Sequence, residues 1–204
     1  MSEKIKLAII YYSSTGNIFT MAQRAVAAAD EAGAQVRLRK VPELASDEAI
    51  AQNEKWVRHR QETKDIPEVS FDDLTWADAL LIGSPTRFGL PTAQLKQFMD
   101  TTGPLWAQGK LENKIVSSFT SAKTPHGGQE STILAINNVF YHWGCIIVPP
   151  GYINSELNKA GNPYGASHVS GGGKTPSETV LNSVGFQAAR VVEVAKALKR
   201  GGMD

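Results

Sequence analysis

Residues 5–17 read IKLAIIYYSSTGN, and this stretch decides the fold. Its first part, residues 5–11, is an apolar, partly β-branched run without polar alternation, the pattern of a strand covered on both faces. The run stops at Ser13-Ser14-Thr15-Gly16-Asn17. Beyond it, Ile18, Met21, Ala22, Ala25, Val26 and Ala29 recur at three- and four-residue spacing, which predicts an amphipathic helix. Gly33 is its natural stop, and the alternating QVRLRK of residues 35–40 predicts a second strand. Strand, helix and strand in this order make a βαβ unit with parallel pairing.

The rhythm repeats outward from there. Residues 79–84 (ALLIGS) predict a buried strand, followed by a helix opened by Pro91 with Leu95, Phe98 and Met99 on one face. Residues 114–120 (KIVSSFT) predict a fourth strand, residues 130–140 a helix, and residues 144–148 a fifth strand. Thr175-Pro176-Ser177-Glu178 has the form of a capping box with proline at the first helical position. Behind it, Val184, Ala188, Val191, Val192, Ala195 and Leu198 form an apolar stripe. Five strands alternating with helices predict an α/β fold, a doubly wound parallel sheet. Two segments stand outside the rhythm. Residues 45–68 are charge-rich and predict a surface excursion holding a helical turn. Residues 151–174 are rich in Gly, Asn and Ser, and a connection so long points to function or assembly.

Composition narrows the class. The chain has 204 residues, enough for one well-buried domain spanning 1–204, with no repeat and no linker. Lys+Arg at 21 against Asp+Glu at 20 gives a net charge of +1, with no basic stripe for nucleic acid. No apolar run approaches the roughly 20 residues of a membrane span. Met1-Ser2-Glu3-Lys4 leads into the first strand without a leader-like apolar region. The lone Cys145 cannot close an internal disulfide and is read as a core residue. The expectation is a neutral cytoplasmic protein with no integral membrane segment.

In such a sheet, ligands sit beyond the carboxyl ends of the strands. The loop after strand one offers the hydroxyls of Ser13, Ser14 and Thr15 with Gly16 and Asn17, then opens a helix. Free N–H groups and the helix dipole there suit a phosphate, although the same residues also make an ordinary N-cap. No Lys or Arg stands between Ser13 and Thr20, so neutral donors would hold it. The glycine pattern lacks the dinucleotide fingerprint G-x-G-x-x-G. Gly173-Lys174-Thr175 is no P-loop, because His168 stands at its first glycine and no strand leads into it. The loop after strand three, Pro85-Thr86-Arg87-Phe88-Gly89, combines a planar cation, an aromatic ring and a glycine, a surface for a flat heteroaromatic ligand. The loop after strand four contains Ser121, Ala122, Lys123, Thr124, Pro125, His126 and Gly127 ahead of a helix. His59, His126 and His168 form no spaced set with Cys145, so no metal site is expected.

Ser13-x-Thr15-Gly16-Asn17 with Thr20 resembles the phosphate loop of flavodoxins. Added to it are Pro85-Thr86-Arg87-Phe88-Gly89, Gly103-Pro104-Leu105-Trp106, His126-Gly127-Gly128-Gln129-Glu130, Gly151-Tyr152 and Gly161-Asn162-Pro163-Tyr164-Gly165-Ala166. Together, in this order over nearly the whole chain, they resemble the WrbA-type NAD(P)H:quinone oxidoreductases. The resemblance implies a flavodoxin-like five-stranded sheet of order 2-1-3-4-5 and a noncovalently bound FMN. It also implies a homotetramer and two-electron reduction of a quinone by NADH or NADPH. By the same resemblance, Ser13 to Ile18 would cradle the phosphate, and Pro85 to Gly89 with Ser121 to Gly127 would surround the isoalloxazine. Trp106 and Phe88 would line the substrate cavity, with His142 beside the flavin as the catalytic residue. Thr15 stands where some members of that family carry a tyrosine linked to nicotinamide binding. Residues 123–125 replace a glycine-rich version of their loop. On the residues alone, Trp106 also fits a core edge and His142 a helix C-terminus. The rival function is a flavodoxin-type FMN electron carrier without NAD(P)H turnover of its own.

Overall fold

The computed structural model describes residues 4–202. Met1, Ser2 and Glu3, most of the segment read as leaderless, lie outside the described residues, as do Met203 and Asp204. Six strands appear among the described residues: β1 (Lys6–Tyr11), β2 (Gln35–Lys40), β3 (Ala79–Pro85), β4 (Ile115–Ala122), β5 (Ile146–Ile147) and β6 (Ser167–Val169). All pairings are parallel, and the order β2-β1-β3-β4-β5 is the one expected. The helices are α1 (Asn17–Glu31), α2 (Asp47–Ala51), α3 (Glu54–Glu62), α4 (Phe71–Trp76) and α5 (Ala93–Thr101). They continue with α6 (Gly103–Ala107), α7 (Gln129–Trp143), α8 (Ser155–Ala160) and α9 (Glu178–Arg200).

The unbroken apolar run of β1 is explained by its two faces. Leu7, Ile9 and Tyr11 pack with the stripes of α1 and α9, whereas Ala8, Ile10 and Tyr12 pack with Leu95, Phe98, Ile136 and Phe140. Fully burying each large side chain contributes about 1.5–3 kcal/mol, so a one-residue slip of register would be costly on both faces. The edge strand β2 is half-buried and guarded by charge. Arg37 and Arg39 reach Asp73 at 3.1 and 2.9 Å, and Arg37 lies 4.0 Å over the Trp76 ring.

Several local expectations are corrected. The fifth strand lies within residues 144–148 but is shorter, Ile146–Ile147. β5 pairs with the start of β4 at Ile115 and Val116, and β6 pairs with its end at Thr120, Ser121 and Ala122. The Gly-rich excursion is thus inserted into the fifth strand position and returns to the sheet. Gly165 permits the return, because a Cβ there would stand 2.1 Å from the Ser118 oxygen. Residues 45–68 hold two helices, α2 and α3, capped by Ser46 and Asn53. Ser177, not Thr175, caps α9, so Pro176 precedes the cap and the predicted box does not form. A capping box does form at Ser70 and Asp73. The helix after Pro91 starts at Ala93, with the Thr92 side chain as its cap.

Candidate functional site

The carboxyl ends of β1, β3, β4 and β6 share one edge, and their loops enclose a cavity of about 490 Å³. From the first loop, Ser13, Ser14, Thr15, Asn17 and Ile18 line it. The Ser13 hydroxyl accepts from the Gly16 N–H at 3.1 Å, and Thr20 donates from its N–H and hydroxyl to the Gly16 oxygen. Gly16 sits at φ +102, a conformation that side chains rarely adopt, and caps α1 with no side-chain hydrogen bond. The cap therefore satisfies none of the first-turn N–H groups, which leaves an anion-binding helix start at the cavity wall. This local geometry fits a phosphate.

Pro85, Thr86, Arg87 and Phe88 line the second side. Thr86 ties the loops together: its N–H donates to the Ser121 oxygen at 2.8 Å, and its hydroxyl accepts from Gly89 N–H and Thr132. Gly89 does not line the cavity but meets Gly128 closely, since a Cβ on Gly128 would stand 2.6 Å from the Gly89 Cα. Phe88 adopts φ +54 and is fully exposed at the cavity mouth. The third side comes from Ser121, Ala122, Lys123, Thr124 and Gly127. Pro125 and His126 are exposed on the same loop and do not line the cavity.

His142 and Trp106 are not brought to this cavity by their own chain. α7 starts beside the site at Gln129 and runs 15 residues to the other sheet edge, roughly 20 Å at 1.5 Å per residue. His142 stands at that far end, and the Trp106 indole donates to its carbonyl at 2.8 Å. The sequence patterns alone could not show this separation, because they place residues on elements and not on sheet edges.

One lining residue went unread in the sequence, and two other groups stand beside the cavity. Ser170, just after β6, lines the cavity and donates to the Ala122 oxygen at 3.1 Å. Its Gly-rich surroundings carry no periodic signal. Glu43 accepts from Tyr12, Gln94 and Trp56 at 2.9, 2.7 and 3.2 Å, joining the loop after β2 to β1, α5 and α3. Burial works to raise its pKa, but bonds from Ala45 N–H, Gln94, Tyr12 and Leu44 N–H outweigh it and hold the carboxyl below its ordinary value. Burial, then the Glu43 bond, raises the Tyr12 hydroxyl pKa well above its ordinary value, with Arg87 opposing. His59, weighed in the sequence only as a metal ligand, is buried on α3 in the wall of the adjoining cavity.

Comparison with known proteins agrees with this geometry. The family model described as NADPH-dependent FMN reductase matches residues 5–159. A protein of Deinococcus radiodurans named NAD(P)H dehydrogenase (quinone) is 44% identical, over 97% of this chain and 99% of its own. One of the same name from Aromatoleum aromaticum is 40% identical, over 97% and 99%. Among solved structures, a WrbA-like flavodoxin of Agrobacterium tumefaciens superposes with a TM-score of 0.67 at 21% identity, covering 95% of this chain and 99% of that one. An archaeal flavodoxin follows at 0.62 and 18% identity, over 94% and 99%, and both establish the fold. With the family match spanning most of its length and these relatives matched end to end, the chain belongs to the NADPH-dependent FMN reductase family, among its NAD(P)H dehydrogenase (quinone) members.

Proposed function

We propose that the protein catalyses NAD(P)H + H⁺ + quinone → NAD(P)⁺ + hydroquinone, using FMN held noncovalently at the carboxyl edge of the sheet. The observation that carries this reading is the uncapped start of α1 in the wall of a cavity shared by several strand ends. Bound FMN supplies a ring that takes an electron pair from the nicotinamide and gives it to the quinone. The chain's own residues position it. Ser13, Ser14, Thr15, Gly16, Asn17 and Ile18 cradle the phosphate. Thr86, Arg87 and Phe88 border one edge of the ring, and the loop from Ser121 to Gly127 borders the other. The carrier reading has less support, because the relatives are named NAD(P)H dehydrogenase (quinone).

Residues 1–204 are read as one domain, supported by a core cluster on each face of one sheet. The working form is read as a homotetramer. Its support is exposed apolar surface: Phe88, Leu90, Trp106, Leu134 and Tyr141 are all more than two-fifths exposed. A neighbouring copy would supply Trp106 and His142 to the mouth of this cavity as substrate-side residues. A cytoplasmic place accords with the described helices, none of which is long and apolar enough to cross a membrane. Titration of apo-protein with FMN and FAD tests the cofactor assignment. FMN should bind far more tightly, and equal affinities would contradict it.

A further inference from the structure

The loop from Ser13 to Ile18 holds no lysine or arginine, so within it a doubly charged phosphate meets only neutral donors, with Arg87 and Lys123 on the other two sides of the cavity. A histidine packs behind it. His59 on α3 is 4% exposed, and its Nδ1 has no hydrogen-bond partner among the described residues. A Cβ built on Gly16 would stand 3.7 Å from that nitrogen, so the unpartnered atom is aimed at the phosphate loop. Phe19, in the first turn of α1, holds the imidazole in a tilted contact with ring centroids 5.5 Å apart. Ser13 lines both the cofactor cavity and the cavity of about 360 Å³ to which His59 contributes. A buried polar atom without a partner is a cost that native structures rarely carry without use.

We propose that His59 is the proton-linked counter-charge of the flavin phosphate. Its imidazole takes up one solvent proton as the phosphate enters the loop and returns it when the phosphate leaves. This rests on the FMN reading above and gives part of the excursion at residues 45–68 a role in that site.

The surroundings support a ring that starts neutral. Burial lowers the His59 pKa from its ordinary value, Glu62 opposes, Lys40 adds to the lowering, and the Ser13 backbone opposes. Three other charged groups around it are engaged. Lys40 Nζ donates to the carbonyls of Thr63 and Lys64, Arg60 pairs with Asp47, and Glu43 is filled by Tyr12, Gln94 and Trp56. Glu68 and Tyr11 line the same cavity, and burial keeps the Tyr11 hydroxyl protonated. Gly16 and Phe19, packed against the ring from the loop and α1, carry no charge. A dianion at the loop then adds to Glu62 in favouring the imidazolium.

The test titrates apo-protein with FMN and, separately, with riboflavin, which has the ring but no phosphate. Across about pH 6.5 to 8.5 the phosphate stays mostly dianionic, so a slope in the FMN Kd reports on the protein. The FMN Kd should weaken about tenfold over this range while that of riboflavin stays flat. His59→Gln should remove the slope. In NMR spectra, the imidazole signal missing from that variant should titrate at higher pH in the FMN complex than in apo-protein. An FMN Kd as flat as that of riboflavin overturns the proposal without need of the variant, as does a His59 titration, assigned with the variant, that FMN leaves unchanged. No FMN binding at any pH overturns the cofactor assignment itself, and His59's role with it.

Discussion

The indole Nε1 of Trp106 donates to the carbonyl oxygen of His142 across 2.8 Å. The bond joins α6 to the last turn of α7 and fixes both residues at the sheet edge away from the phosphate loop. At the other edge, Phe88 carries a fully exposed ring on a positive-φ backbone. Exposed apolar area and backbone strain both favour a use for that ring. In the proposed homotetramer, a second copy would cover Phe88 and present Trp106 and His142.

Trp106→Ala and His142→Ala should therefore separate two properties. FMN affinity should change by less than about twofold, whereas quinone kcat/KM should fall about tenfold, as for loss of one hydrogen-bonding or aromatic contact. Fluorescence titration and steady-state assays read the two sides. Light scattering of the wild type should give a tetramer, and a monomer at all concentrations would remove the basis of this prediction.

Gly16→Val should fold but lose the cofactor. A β-branched residue at φ +102 is strained by about 1–3 kcal/mol, a fraction of a domain's stability. Relaxing that strain would disturb the loop's donors, and losing even one charge-assisted bond weakens FMN by about tenfold to a hundredfold. Flavin content of the purified variant, beside its circular dichroism spectrum, checks both halves.

Gln187→Leu tests the splice in the fifth strand position. Gln187 is fully buried, accepts from the Ala166 N–H at 2.9 Å, and donates to Ser117 Oγ and the Ser118 carbonyl at 2.5 and 2.8 Å. It thus serves the stretch of β4 between its pairings with β5 and β6. Leucine would take the partner from the Ala166 N–H and the Ser118 carbonyl, while Ser117 Oγ keeps its bond to the Val148 oxygen, costing about 2–4 kcal/mol in urea unfolding.

Asp73 gives a pH signature. Burial works against its ionised form, but the Ser70 N–H and Arg39 outweigh it and hold the carboxyl below its ordinary value. A lowered folded pKa means stability present above the unfolded value and lost as pH falls through the folded one. Asp73→Asn should cost about 1–3 kcal/mol at pH 7. The gap to wild type should close as acid titrates the wild-type carboxyl below about pH 4.

Much of this was legible in the sequence where burial imposed a pattern. β1 and α1 stood out because both faces of one, and one stripe of the other, had to be apolar. The phosphate loop was visible because its hydroxyls and glycine sit at that junction. β5 was visible only as part of a longer run, residues 144–148, and β6 was not, since two- and three-residue strands carry no periodicity. Gln187 and His59 were missed for a related reason. Each is a polar residue buried by partners distant in sequence. The distance of His142 from the cavity could be seen only once α7 had been placed end to end.

The most direct measurement is steady-state turnover of purified, FMN-loaded protein with NADH or NADPH and benzoquinone, both concentrations varied. Donor and acceptor share one cavity in turn, so parallel double-reciprocal lines are expected, with turnover lost when FMN is removed and restored when it is added. Tight FMN binding without NAD(P)H-driven reduction of any quinone would contradict the account.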